Sequence, residues 1–271
     1  VGHSHVFPWF IKWCRAQQQH GMRWVHTYHN MYFPEFSATG ELEQWQIDVN
    51  TALIEDARHA DARLSVSRWQ QAYLRDEYGI ETEYVPNGVD VDICDAGNAE
   101  RFRKRWNLRH FVLYVGRNDP VKNPADFVRL AHRLPKETFV MIGGGLTAAA
   151  IQTDWRLEAT LNVRLLGSLS HPEVQDAIAA CKIVVVTSKR EGLPTLVMEA
   201  MAHGKPVVVP DEAGCKEAIG NGEAGYIYTA DDIEELARQT RAAMTDDKIG
   251  QVGRQRVEQE HPTGADGRDQ Q

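Results

Sequence analysis

A chain of 271 residues suits one large domain or two small ones, and 42% hydrophobic with 25% charged residues is an ordinary globular composition, which excludes disorder as the default. The formal net charge of −8 excludes a general nucleic-acid coat, which needs a basic surface, while leaving room for a local cationic pocket. No apolar run approaches the roughly 20 residues that a membrane span requires. The four cysteines, Cys14, Cys94, Cys181 and Cys215, form no CxxC pair, so reduced thiols in a cytoplasmic protein are the simpler reading than a disulfide framework or a zinc site. No signal peptide is visible. The chain opens at Val1 already among apolar and aromatic residues, and a missing amino terminus is expected.

In chain order, residues 1–6 and 22–28 read as strands, 43–59 as a long helix, 63–67 as a short strand, 68–78 as a helix and 83–85 as a further strand. Pro86-Asn87-Gly88 is a turn signal, followed by a polar stretch over 95–107. The second half is more regular. Apolar runs at 111–115, 138–142, 163–166, 183–187, 207–209 and 226–228 alternate with amphipathic stretches at 124–133, 172–181, 195–203 and 233–244. Runs apolar on both faces predict buried parallel strands. The strand–helix alternation predicts right-handed crossovers and a sheet covered on both faces. The fold class expected is therefore α/β, with a doubly wound parallel sheet in the second half. A partial first domain over 1–92, a second domain over 93–250 and a polar, disordered tail over 251–271 complete the expected organisation.

The strongest constellation spans 188–202, directly after the most apolar strand. Pro194 suits the first position of a helix, where its missing N–H costs nothing. The helix N-terminus then offers free N–H groups and a positive dipole to an anion. Glu199 sits among Val197, Met198, Ala200 and Met201. A buried carboxylate there costs several kcal/mol unless something bonds it, as a ligand hydroxyl pair would. The plainer reading has Glu199 facing solvent at the helix edge. Glu191 lies beside Gly192 on the loop at the same mouth. A second constellation is Gly116-Arg117 with Lys122, after the strand at 111–115: Arg117 suits bidentate phosphate contacts and Lys122 acts as a point charge. The alternative is two solvated surface cations. In open α/β sheets, ligands bind at the carboxyl ends of the strands, where strand order switches. Gly143-Gly144-Gly145 lacks the spacing of a dinucleotide fingerprint and reads as close backbone approach, to a ligand or to a neighbouring helix.

The order Val115-Gly116-Arg117, Lys122-Asn123, Gly143-Gly144-Gly145, Asn162-Val163, Gly167, Ser188, Glu191-Gly192, Pro194, Glu199-Ala200-Met201-Ala202 and Gly204-Lys205-Pro206-Val207-Val208 resembles the donor domain of glycosyltransferase family 4. Glu191 and Glu199 match its signature of two glutamates separated by seven residues. Upstream, a strand ending at His29, a strand ending at Ser67 and the turn Asn87-Gly88-Val89-Asp90 are similar to the family's first domain. The resemblance implies a GT-B fold of two Rossmann-like domains, the first incomplete here. It implies transfer of a sugar from a nucleoside-diphosphate sugar with retention of configuration, and no metal or other cofactor. Arg117 and Lys122 would hold the diphosphate, Glu191 the transferred sugar and Glu199 the ribose. Gly116 and the main chain around Gly192, Leu193, Thr195 and Leu196 would meet sugar and phosphate, and His29 would stand near the reacting carbon.

Two lookalikes weigh little. Asp90-Val91-Asp92 imitates a metal-holding DxD motif but lies in the interdomain turn, and His3, His5, His26 and His29 have no carboxylate or cysteine at ligand spacing. Competing readings are a GT-B sugar-nucleotide epimerase and a non-catalytic nucleotide-sugar-binding module. A dinucleotide oxidoreductase is weakest, since it leaves both glutamates without a task. The acceptor, whether saccharide, lipid or small molecule, is not named by the sequence. Peripheral membrane contact or self-association stays open, and an incomplete first domain is expected to transfer sugar poorly.

Overall fold

The computed structural model describes residues 1–37, 39–158 and 160–260. They divide into two compact units. The first comprises Val1–Asn87 with Glu191–Leu193, and the second comprises Gly88–Arg190 and the described residues from Pro194 on.

The first unit holds four parallel strands in the order β1-β2-β3-β4: β1 (Gly2–Ser4), β2 (Trp24–Tyr28), β3 (Ala62–Ser65) and β4 (Glu83–Tyr84). Helix α1 (Pro8–Gln18) joins the first two strands and buries Ile11 and Cys14. The helix expected over 43–59 is helical throughout but not uniform: α2 (Gln44–Thr51) passes into a π turn, Ala52–Asp56, and a 3₁₀ turn, Ala57–His59. Helix α3 (Arg68–Tyr78) starts where the Ser67 hydroxyl accepts from the Gln70 amide. It stops at Gly79, whose φ of 62° an L side chain rarely adopts. Trp24, Tyr28, Leu53 and Leu74 fill the core of this unit.

The second unit opens with α4 (Val91–Asp95) and α5 (Ala99–Trp106). Helix α4 packs against two helices of this unit, α8 (His171–Ala180) and α9 (Thr195–Ala202), and buries Cys94. Residues 88–92 therefore group with the second unit rather than the first. Six parallel strands follow, β5 (Val112–Val115), β6 (Phe139–Ile142), β7 (Val163–Leu165), β8 (Ile183–Val185), β9 (Val207–Pro210) and β10 (Tyr226–Tyr228), in the order β10-β9-β8-β5-β6-β7. Counted within the unit and read from β7, the order is 3-2-1-4-5-6, the doubly wound arrangement, with its switch between β5 and β8. Val112, Leu113, Phe139, Val140, Val184 and Val208 are wholly buried, as strands covered on both faces require. The covering helices include α6 (Pro124–Arg133), α7 (Ala148–Thr153), α10 (Ala213–Ala218) and α11 (Ile233–Ala243).

The disordered tail expected from Gln251 needs correction. Residues 251–260 continue α12 (Asp247–Glu260), which packs on α9 and the turn after it: a Cβ on Gly253 would stand 2.9 Å from Met201 Cγ, and one on Gly250 2.1 Å from the Gly204 carbonyl oxygen. The remaining tail residues, 261–271, lie outside the described residues. No helix among the described residues is long and apolar enough to cross a membrane.

Candidate nucleotide-sugar site

The two central strands of the second unit deliver its site residues. Gly116 and Arg117 leave the carboxyl end of β5, and the loop through Lys122 and Asn123 leads into α6. Two contacts with the glycine loop after β6 shape it. The Gly116 amide donates to the Ile142 carbonyl at 2.9 Å, and the Asn118 amide donates to the Gly144 carbonyl at 2.8 Å. A Cβ on Gly143 would stand 1.8 Å from the Gly116 oxygen. The close approach expected of the triple glycine is thus made to the neighbouring loop, not to a helix. Asp119 tightens the turn by accepting from the Val121 amide at 2.9 Å.

The loop after β8 is tied to the same edge. The Lys189 amide donates to the Val121 carbonyl at 2.7 Å, and the buried Thr187 hydroxyl donates to the carbonyls of Lys122 and Asn123 at 3.1 and 2.8 Å. The switch point therefore holds Arg117 and Lys122 on one loop and the start of α9 behind the next. Arg117 is 74% exposed and meets Asp119 across 3.2 Å. Such a surface pair contributes at most about 1 kcal/mol, so an incoming anion displaces it at little cost.

Helix α9 begins at Thr195, one residue later than expected. Pro194 is its N-cap, with extended backbone (φ −72°, ψ 111°), because the chain is still leaving the loop there. Glu199 lies in its second turn with a side chain only 17% exposed. Its carboxylate is neither a free solvent-facing group nor an orphan: Oε1 lies 3.1 Å from Nε2 of His171, the first residue of α8. Nothing in the sequence singled out His171, since its partner lies 28 residues away.

Glu191, Gly192 and Leu193 group with the first unit, as does His29. Gly192 abuts the His29 backbone so closely that a Cβ would stand 1.9 Å from the His29 carbonyl oxygen. The Gly192 carbonyl accepts from the Trp69 indole at 2.7 Å and the Leu193 carbonyl from the Asn87 amide group at 3.0 Å. The signature glutamates thus start from different units, while Thr195, Leu196 and Glu199 belong to the second.

His29 follows β2, and its Nε2 lies 2.8 Å from Nδ1 of His5. Burial, then the neighbouring His5 and His3, pushes His29 down to about 4, so it is a neutral imidazole at ordinary pH. Burial holds His26 lower still, at about 3, while its Nδ1 meets the Ser4 hydroxyl at 2.8 Å. Among the described residues, no cluster of three or more His, Cys, Asp or Glu side chains could hold a metal ion. In the DxD lookalike, the Asp90 carboxylate is occupied in capping α4, accepting from the Ile93 amide at 3.0 Å.

Comparison with known proteins places the chain in a family. The family described as Glycosyl transferases group 1 matches residues 98–259, and Glycosyltransferase Family 4 matches residues 1–93. The D-inositol 3-phosphate glycosyltransferase of Acidothermus cellulolyticus is 29% identical over 243 residues, covering 82% of this chain and 54% of the relative. The UDP-Gal:alpha-D-GlcNAc-diphosphoundecaprenol alpha-1,3-galactosyltransferase of Escherichia coli is 26% identical over 176 residues, covering 61% of this chain and 45% of the relative. The chain thus spans about half the length of the curated relatives it matches. Among solved structures, sucrose-phosphate synthase from Thermosynechococcus elongatus aligns with a TM-score of 0.80 at 24% identity, covering 96% of this chain and 69% of that one. Anabaena HepE in complex with UDP-glucose aligns at 0.78 and 20%, covering 96% and 74%. These likenesses identify the fold as GT-B. With the group 1 match alone spanning more than half of its residues, the chain belongs to the group 1, family 4 glycosyltransferases.

Proposed function

We propose that this chain binds a nucleoside-diphosphate sugar and serves its transfer to an acceptor hydroxyl with retention of configuration. The observation that carries the reading is the switch point: the Arg117–Lys122 loop after β5 and helix α9 after β8 leave adjacent central strands. In this reading Arg117 and Lys122 hold the diphosphate. As the bond from the anomeric carbon to the diphosphate breaks and the acceptor oxygen bonds to that carbon, negative charge collects on the leaving group. The acceptor proton departs with it. Fixed cations aimed at that charge supply the main catalytic term, in the place a metal ion takes elsewhere. Glu199 takes the ribose hydroxyls, and the main chain of Gly116, Thr195 and Leu196 meets the phosphates. Glu191, with Gly192 and Leu193, takes hydroxyls of the transferred sugar, and His29 faces its reacting carbon. A neutral His29 suits a hydrogen-bonding role better than that of a fixed positive charge.

The test is calorimetric titration with UDP and UDP-glucose, followed by incubation of the labelled donor with candidate acceptors, with and without a chelator. Binding of both ligands and chelator-resistant formation of a glycoside are expected. An epimerised donor with no new glycoside would favour an epimerase, and ligand binding with no product would favour a binding module.

A further inference from the structure

The Glu199 carboxylate does not stand alone on α9. His171 Nε2 lies 3.1 Å from Glu199 Oε1 and also 3.0 Å from the side-chain amide of Gln175, one turn along α8. The other end of that amide meets Nε2 of His203 at 2.8 Å. Gln175 is buried and His203 half-buried, with Gly97 against its ring: a Cβ on Gly97 would stand 2.7 Å from His203 Cε1. Four side chains from two helices thus form one line, Glu199–His171–Gln175–His203.

Donor and acceptor rules decide how the line is wired. An ionised carboxylate only accepts, and a neutral imidazole nitrogen either donates or accepts. If the amide nitrogen of Gln175 pointed at His171, Nε2 would have to accept, and its lone pair would then face the carboxylate oxygen. Turning the amide end for end removes the conflict. His171 Nε2–H then donates, shared between Glu199 Oε1 and the Gln175 oxygen. The Gln175 N–H donates to an unprotonated Nε2 on His203. That last step needs a neutral His203, and burial lowers its pKa to about 4.

We propose that His171 is a positioning residue for Glu199: its Nε2–H, seated by buried Gln175 and His203, holds the carboxylate in the orientation that receives the ribose hydroxyls. One of the carboxylate's roughly four acceptor sites is used by the imidazole, and the rest stay available to a hydroxyl pair. The location adds to this, because His171 opens α8 and so brings the positive end of that helix to the carboxylate. The proposal rests on the ribose role given to Glu199 above.

The experiment is a comparison of affinities for UDP and 2′,3′-dideoxy-UDP, whose ratio reports on the ribose hydroxyls alone. It is measured by calorimetry for the full chain and for Glu199→Gln, His171→Ala and His171→Gln. His171→Gln keeps an N–H near the position of Nε2. In His171→Ala the preference for UDP should fall by about fivefold to tenfold, the equivalent of one ordinary net hydrogen bond. His171→Gln should restore most of it. A preference that survives in His171→Ala but falls in Glu199→Gln overturns the proposal and leaves the ribose role of Glu199 standing. Loss in both His171 variants overturns the donor assignment. A preference untouched by Glu199→Gln overturns the ribose role, and the proposal with it.

Discussion

Replacing Arg117 by alanine isolates the diphosphate contact. In the free protein the guanidinium meets Asp119 at 3.2 Å and is 74% exposed. Hydrogen bonds to charged groups contribute about 1.5–3 kcal/mol each, and the surface pair that a ligand must displace is worth about 0–1 kcal/mol. The difference leaves about 2 kcal/mol, so Arg117→Ala should weaken UDP binding roughly 30-fold. Uridine, which has no phosphate, should bind Arg117→Ala and the parent chain alike. Asp119→Asn offers the converse. Its side-chain oxygen still accepts from the Val121 amide, but the charge competing for Arg117 is gone, so UDP should bind a few-fold tighter. Calorimetric titration reads all of these. Unchanged UDP affinity in Arg117→Ala refutes the reasoning, as does a loss for uridine equal to that for UDP.

The two glutamates should divide by ligand: Glu199→Gln weakens UDP and UDP-glucose alike, while Glu191→Gln weakens UDP-glucose alone, and equal losses for bare UDP would contradict the division. Gly143→Ala places a Cβ 1.8 Å from the Gly116 oxygen, so the Arg117 loop must move; UDP affinity should fall at least tenfold, a cost of about 1.4 kcal/mol, with the fold retained by circular dichroism. The folded pKa values of His26 and His29, about 3 and 4, lie below the ordinary 6.5 because burial disfavours the charged ring. The unfolded chain therefore takes up protons first, and stability is full above pH 6.5 and lost as the pH falls from there toward 4. A melting midpoint that stays flat from pH 7 to 4.5 would contradict this. Helix α1 exposes Trp9 and Trp13, with Phe7 just before it. An apolar patch of this kind favours association, so Trp9→Ser with Trp13→Ser should reduce any concentration-dependent dimer seen by sedimentation.

The second unit was readable in the sequence because its central strands β5, β6, β8 and β9 are apolar on both faces. Each run from Val112 to Tyr228 became a strand, and Gly116 and Arg117 directly follow β5. What escaped notice has local causes. Helix α1 presents Trp9 and Trp13 outward while burying only Ile11 and Cys14, so its apolar residues trace no single stripe. Helix α5 buries only Phe102 among charged neighbours. Helix α12 looked like a tail because its contact with α9 and the turn after it uses Gly253 and Gly250, residues that ordinarily argue against a helix but here permit close approach. The line from Glu199 to His203 joins residues brought together only by the packing of α8 on α9, and no spacing along the chain reports it.

The central claim is that the donor's nucleotide sits at the switch between β5 and β8. A crystal structure of the chain with UDP tests it most directly. The account predicts the diphosphate within hydrogen-bonding distance of Arg117 and Lys122 and the ribose hydroxyls on the carboxylate of Glu199. UDP bound elsewhere, or bound at this edge with its ribose turned away from Glu199 and its phosphates away from Arg117, would contradict it.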